Sequence, residues 1–414
     1  MEHRALIVEI ESWLIDSALG DPDITELFQQ LCERLSGVGV PVERAALTWP
    51  TLHPLFRAEQ IFWNPVDGAV FHQYSHANQE TEGWLKSPFY HVLQNDLDRL
   101  RRRLTGPNAL LDFDVLHEFR DQGFTDYLMT CSEFRIGEVS EFANRGTGIL
   151  ASFATKRQGG FTSDDLEALS HIQRVFAVAC RVAIQRRVTA NLMNTYLGPT
   201  AGWRALSGDI RRGDGERIRA VVYYADLRAS TRLSEAMDPD EYLQLLRDYY
   251  DCAAQPVIAE GGEILDYIGD AVLAIFPIRG DTGGPEAVRA ACRAMEAALT
   301  RREEIIAETP EKPIRFCVCL AVGEVMFGNI GVPERLSFSV IGSVVNEVAR
   351  MDDASKTLGR SVLVTSEVAK IEPDCWVSLG AHPLAGVPEP VELFARACQR
   401  DVFETVEPAK TATG

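Results

Sequence analysis

The chain has no Cys-x-x-Cys pair, no apolar run long enough to span a bilayer and no surplus of positive charge. Each absence removes a class of function. Nine cysteines, an odd and scattered set, argue against a disulfide framework or a zinc module. Cys317 and Cys319 alternate along the strand-like run from Ile314 to Val322, so they face one side and read as reduced thiols packed as small hydrophobes. The longest apolar stretch, around Val175 to Ile184, is far too short for a transmembrane helix. Acids interrupt the apolar start Met1-Glu-His-Arg-Ala-Leu-Ile-Val-Glu-Ile-Glu, which is therefore not a signal peptide. Against 60 acidic residues stand 41 Lys and Arg, a net charge of −19 that repels nucleic-acid backbones and anionic membranes. Neither is an expected partner. What remains, 414 residues with 46% hydrophobic and 24% charged side chains, fits a globular cytoplasmic enzyme of two or three domains.

Four segments are expected. The first, 1–187, opens with Asp23 as a helix N-cap, Glu26 three residues on, and Ile24, Leu27, Phe28, Leu31 and Leu35 on one face. Gly37, Gly39 and Pro41 stop that helix before a strand at Ala45–Trp49, and further strands are expected at 125–130 and 148–155. A Gln158-Gly-Gly160 turn leads to a helix capped by Thr162, on which Leu166, Leu169, Ile172, Phe176, Ala179 and Ala183 form a stripe. That stripe could pack on its own domain or form a parallel seam with a second chain. The stretch from Ser152 to Leu169, a last strand running into Phe-Thr-x-x-x-Leu, resembles the end of a GAF-type sensor domain. A GAF-like α/β sensor with an unknown ligand is what that resemblance implies for 1–187. Residues 188–215 read as a linker helix followed by a polar hairpin, and 400–414 as a flexible tail.

Residues 216–399 alternate strands and helices. Asp238-Pro-Asp-Glu241 is a strong helix start, followed by Tyr242, Leu245, Leu246, Tyr249 and Ala253 as the buried face. The order strand, helix, strand, strand, helix, strand is the split βαβ, ferredoxin-like pattern. Asp226 ends the run Arg219-Ala-Val-Val-Tyr-Tyr-Ala-Asp226, and Asp270 sits in Glu263-Ile-Leu-Asp-Tyr-Ile-Gly-Asp270-Ala-Val-Leu. In a split βαβ these strand ends are neighbours. Two carboxylates there can hold a pair of divalent cations against a transferring phosphoryl group. The small loop residues Ala229, Ser230 and Thr231 allow backbone N–H groups to approach phosphate oxygens. Asn346 and Arg350 lie one helical turn apart and leave from one face.

These blocks resemble the class III nucleotidyl cyclases. The matching segments are Tyr-Tyr-Ala-Asp226-Leu-Arg-Ala-Ser-Thr, Gly-Gly-Glu-Ile-Leu-Asp-Tyr-Ile-Gly-Asp270, Gly323-Glu-Val-Met-Phe-Gly-Asn-Ile-Gly331 and Phe-Ser-Val-Ile-Gly-Ser-Val-Val-Asn346-Glu-Val-Ala-Arg350. The stretch from Leu379 to Phe394 is similar to that family's closing hairpin. The resemblance implies an α+β catalytic domain that turns a nucleoside triphosphate into a 3′,5′-cyclic nucleotide and pyrophosphate. It implies that Asp226, Leu227 and Asp270 hold two Mg²⁺ or Mn²⁺ ions, that Arg350 stabilises the transition state and that Asn346 positions the ribose. It also implies a homodimer whose sites draw on both chains.

Departures from the family pattern concern the base. Adenine-specific members carry Lys where this chain has Asp266, and Asp or Thr where it has Ser339. A Lys donates to adenine N1, whereas a carboxylate only accepts, from guanine N1–H and N2 or from an exocyclic amino group. ATP is favoured narrowly, with GTP or a pyrimidine triphosphate as alternatives. The usual Gly-Phe is Ala229-Ser230 here and a usual Asp is Ser343. A weakly active or inactive cyclase-like signalling module is the rival from another class. A diguanylate cyclase is disfavoured, because Ile264 and Leu265 follow Gly261-Gly262-Glu263.

Overall fold

The computed structural model describes residues 2–76, 81–134 and 148–397, apart from 281, 311, 313 and 333. The tail expected at 400–414 lies outside them. Two compact units meet in the chain between Thr195 and Tyr196. Among the described residues no helix is long and apolar enough to cross a membrane.

The first unit is an α/β domain. Its six strands are β1 (Arg44–Pro50), β2 (Phe56–Asn64), β3 (Gly68–Ser75), β4 (Arg99–Arg103), β5 (Asp126–Glu133) and β6 (Gly148–Thr155). They form one antiparallel sheet in the order β3-β2-β1-β6-β5-β4. Helices α1 (Glu2–Leu19), α2 (Ile24–Gly37) and α6 (Ser163–Leu197) bury Leu14, Phe28, Leu31, Ile172 and Phe176 with one face of the sheet. Phe28 and Phe176 stack with ring centres 6.0 Å apart. The short α3 (Glu82–Leu85), α4 (Pro88–Gln94) and α5 (Asp114–Asp121) belong to the other side, where Val92, Leu116 and Phe119 pack with Tyr127 and Met129.

Local chemistry accounts for the starts of these helices. The Asp23 carboxylate accepts from the N–H groups of Thr25 and Glu26, two of the donors that a helix start leaves free. Thr162 Oγ1 accepts from Asp165 N at 3.2 Å at the start of α6. Gly160 is left-handed, φ +76°, and a Cβ there would lie 2.4 Å from the buried Asp126 carboxylate, so the turn needs glycine. The stripe on α6 packs within its own unit, where Leu169, Ile172, Phe176, Ala179 and Ala183 are all buried. Helix α1 and the β2–β3 hairpin extend what the pattern predicts.

A buried ion pair ties α6 to the sheet. Glu59, fully enclosed on β2, accepts from Trp49 Nε1 at 3.1 Å, Gln73 Nε2 at 3.1 Å and Arg187 Nε at 2.8 Å. The Arg187 guanidinium also lies over the Phe71 ring.

The second unit builds an eight-stranded sheet from β7 (Gly215–Leu227), β8 (Glu263–Ile268), β9 (Ala271–Pro277), β10 (Phe316–Val332), β11 (Arg335–Ile341), β12 (Val362–Thr365), β13 (Trp376–His382) and β14 (Val391–Arg396). The order is β13-β14-β12-β10-β7-β9-β8, with β11 paired to β10. The inner four, β10-β7-β9-β8, are the split βαβ arrangement in which the first strand lies between the last strand and the hairpin. Its helices are α7 (Pro199–Leu206), α8 (Ser230–Ala236), α9 (Pro239–Ala253), α10 (Gln255–Ala259), α11 (Gly284–Glu308), α12 (Ser343–Leu358) and α13 (Ser366–Ala369). Asp238 caps α9 and Pro239 opens it. Leu245, Tyr249 and Ala253 are buried there with Val221, Tyr223 and Met295, while Tyr242 and Leu246 pack at the margin.

Breaking the Glu59 pair leaves an indole N–H and a guanidinium without their acceptor. Glu59→Ala should lower the stability of the first unit by about 3 kcal/mol, and Glu59→Gln by less. Urea unfolding followed by tryptophan fluorescence checks this; an unchanged midpoint in Glu59→Ala would refute it.

Candidate active site

Strand β7 delivers Asp226 to a particular face. Side chains alternate along a strand, so Val221, Tyr223, Ala225 and Leu227 enter the core shared with α9 and α11. Val222 and Tyr224 pack instead with residues of α12, and Asp226 continues that second series. In register, Asp226 lies opposite Ala271 of β9 and Cys317 of β10. Ile268 also pairs with Ala271 across the β8–β9 hairpin, so the turn Gly269-Asp270 sits beside the end of β7. Gly269 is left-handed, φ +66°, and its carbonyl accepts from Tyr250 Oη at 2.8 Å. The two predicted acids are thus brought together. The Leu227 side chain is buried in the opposite core, which leaves its backbone carbonyl as the group that could meet an ion.

Burial raises the Asp226 carboxyl, the nearby Asp352 and Asp270 carboxylates raise it further, and the result is pushed up to about 7. Lys356 opposes this only in part. Among the described residues neither Asp226 nor Asp270 forms an ion pair with a basic side chain. Two hard oxygen donors without a counter-charge suit Mg²⁺ or Mn²⁺. No cluster of three or more His, Cys, Asp and Glu able to hold an ion occurs among the described residues. The fit is therefore to ions that complete their shell with backbone carbonyl, phosphate and water oxygens, as Mg²⁺ does.

Asp352 is the residue that pattern reading misses. It is 4% exposed on α12, paired with Arg228 Nη1 at 2.9 Å and Lys356 Nζ at 2.8 Å. The Cys317 thiol donates to it from β10, so this cysteine does more than fill space. Arg228 also bonds Ser355 Oγ, and its backbone N–H donates to the Arg315 carbonyl at 2.6 Å. With its oxygens so engaged, Asp352 is a poor ligand candidate. Its role is to hold the loop after β7 against α12. The available signal is the helical stripe Val344, Val348, Asp352, in which a carboxylate takes a core position.

The loop itself departs from ideal geometry. Ala229 is left-handed, φ +59°, at the position where the family's usual residue is glycine, and an alanine there costs about 1 kcal/mol. Ser230 and Thr231 form the first turn of α8. Asn346 and Arg350 both lie on the exposed face of α12. Arg350 pairs loosely with Asp353 at 3.6 Å. Neither is bonded to Asp226 or Asp270. Two residues along a helix rotate a side chain by about 200°, so the face carrying Arg350 is turned from the face on which Asp352 meets Asp226. Asp266 is exposed on the edge strand β8, beside an irregularity in its pairing with β9. Ser339 is half-buried on β11, opposite Gly328.

A split βαβ sheet with two neighbouring carboxylates at its strand ends suits a metal-dependent phosphoryl-transfer domain. Residues 216–377 match the family model described as adenylate and guanylate cyclase catalytic domain, and that segment is such a domain. The chain is 31% identical over 166 residues to the adenylate cyclase of Anabaena cylindrica, covering 39% of this chain and 32% of that protein. It is 29% identical over 229 residues to an uncharacterised protein of Mycobacterium tuberculosis, covering 54% of this chain and 41% of that one. It thus spans well under half the length of these relatives. The crystal structure of the adenylyl cyclase CyaB from P. aeruginosa aligns with a TM-score of 0.38 at 22% identity, over 46% of this chain and 97% of that one.

A carboxyl raised in the folded state favours folding while it is protonated. That contribution is complete below about pH 4, the unfolded carboxyl's range, and is lost as pH rises through the folded value near 7. Without metal, the melting temperature of the catalytic unit should therefore fall between about pH 4 and about pH 7. Asp226→Asn should flatten that slope. A slope unchanged in Asp226→Asn would refute the assignment.

Proposed function

We propose that the chain is a metal-dependent nucleotidyl cyclase that acts on ATP and is regulated by its N-terminal unit. The observation that carries this reading is the pair Asp226 and Asp270, adjacent and without a basic counter-ion, inside the matched catalytic domain. Asp226, Asp270 and the Leu227 carbonyl would hold two Mg²⁺ or Mn²⁺ ions. Bound there, the ions would make the ribose 3′-OH more acidic and offset charge on the triphosphate. Ala229, Ser230 and Thr231 would face the phosphates with backbone N–H groups at the start of α8.

Asn346 would orient the ribose, and Arg350 would meet the charge that builds on the α-phosphorus. Because α12 turns Arg350 away from its own Asp226, those two residues would serve the site of a second copy. Exposed apolar side chains support a homodimer: Met326 and Ile341 are cross-strand neighbours 40% and 58% exposed, and Tyr267 and Ile268 lie open on β8. For the first unit, the six-stranded antiparallel sheet and the Gly159-Gly160 turn into α6 support the GAF-like sensor reading.

Composite sites make a strict demand. Asp226→Ala and Arg350→Ala chains should each be inactive in pyrophosphate release with Mn²⁺, and mixing them should restore activity through the one complete interface of the mixed dimer. A mixed dimer that forms and stays inactive would refute shared sites. Near wild-type rates in Asp226→Ala would refute the metal assignment.

The base is read by Asp266 and Ser339 on this proposal. A carboxylate at 266 favours a base that donates, which is the argument for GTP as the second reading. Asp266→Lys should move kcat/KM towards ATP by about tenfold or more relative to GTP, CTP and UTP, the worth of one misplaced hydrogen-bonding group. Ser339→Thr, which keeps the hydroxyl, should change the ratios less. Unchanged ratios in Asp266→Lys would show that this side chain does not touch the base.

A further inference from the structure

The first unit contains a cavity of about 850 Å³ between its sheet and the segment that carries α3, α4 and α5. Alternation along the strands explains why space is left there. Many positions facing the opposite core are large, among them Leu47, Ile61, Trp63, Leu128 and Phe153. Their neighbours on the cavity side include Ala46, Ala58, Gln60, Ser152 and Ala154. Small side chains on this face, on β1, β2 and β6, do not fill the volume that the helices span.

The floor is polar and already ordered. Gln60, 6% exposed, donates through Nε2 to Thr48 Oγ1 at 2.8 Å and accepts from Tyr74 Oη at 2.5 Å. A row across β1, β2 and β3 is thereby fixed without help from a ligand. The walls are aromatic, with Phe62, Trp84, Phe89 and Phe119.

One cation in this cavity has no hydrogen-bonded or ion-paired acceptor among the described residues. The Arg44 guanidinium lies 4.9 Å from the Phe119 ring centre and 5.6 Å from that of Phe62. Among the described residues it makes no hydrogen bond or ion pair, and Glu118 and Tyr127 act on it only at longer range. Burial pulls its pKa down, and Tyr127 and Glu118 offset that only in part. Arg57, the second arginine in the lining, lies over Trp84. Aromatic walls, an ordered polar floor and a guanidinium whose N–H groups donate to no acceptor among the described residues are the features of a site for a drug-sized ligand with one anionic group.

We propose that this cavity binds a small organic anion, a flat apolar body held among the aromatic walls with its carboxylate on Arg44. The proposal rests on the sensor reading for its regulatory meaning and on the cavity alone for its chemistry. Its position on β2 suits a sensor: Gln60 faces the ligand, and Glu59, one residue away on the opposite face, holds Arg187 of α6.

The test is calorimetric titration of the full chain with 2-naphthoate and with its neutral counterpart, 2-naphthamide. The acid should bind at least about tenfold tighter than the amide, the worth of one charge-assisted hydrogen bond. Arg44→Gln should abolish that preference, Arg44→Lys should retain part of it, and Ser152→Leu, which fills the floor, should weaken both ligands. Equal affinity for acid and amide in the wild type would overturn the proposal. So would a preference that survives Arg44→Gln, or failure of 2-naphthoate, indole-3-acetate and decanoate alike to bind at about 1 mM. Pyrophosphate release measured with and without the bound acid separates the two readings. A changed rate supports both, whereas binding with an unchanged rate sinks the sensor reading and leaves the site standing.

Discussion

The catalytic unit turns on one buried carboxylate. Asp352 joins three elements that are distant in the chain: the loop after β7 through Arg228, the strand β10 through Cys317, and its own helix through Lys356. Removing a charge from water is expensive unless it is paired and bonded on all sides. Here the pairing is nearly complete, so the geometry is fixed rather than merely permitted. The loop that carries Ala229, Ser230 and Thr231 inherits its position from this anchor. So does the end of β7, where Asp226 meets the same carboxylate. An alanine can then be held left-handed, because the residue before it is clamped to α12.

Both units use the period-two alternation of strands to keep two tasks apart. In the second unit Leu227 goes to one core while Asp226 goes to the face shared with α12. In the first, residues such as Leu47, Ile61 and Phe153 seal one side of the sheet, while Ala46, Ala58, Ser152 and Ala154 leave room on the other. Glu59 and Gln60 show the same division within two adjacent residues, one clamping a helix and the other flooring a cavity.

How much could be read from residues alone follows from the same physics. Asp226 and Asp270 are legible because each ends a strand-like run rich in apolar residues, and Asn346 and Arg350 because their spacing is one helical turn. Asp238 and Asp23 announce their helices by cap chemistry that is entirely local. Asp352 is hidden, since beside Asp353 and four residues from Lys356 it looks like ordinary surface charge; only the fold reveals that it sits on the buried stripe. The β2–β3 hairpin is poorly marked because Glu59 and Gln60 put polar groups where an apolar strand is expected. Helix α1 is blurred in another way: Ile7, Ile10 and Leu14 are buried, yet Val8, Ile15 and Leu19 are exposed, so apolar residues circle it.

The cysteines give the molecule an internal set of clocks. Cys32 and Cys180 are sealed in the first unit, while Cys252, Cys292, Cys317 and Cys319 are sealed in the second; Cys375 is exposed. A thiol reagent reaches a buried sulfur only when its surroundings open, so the labelling rate reports the free energy of that opening. Cys375 marks the moment the reagent arrives. The order in which the others follow would record which unit breathes first, thiol by thiol, with no label engineered into the chain.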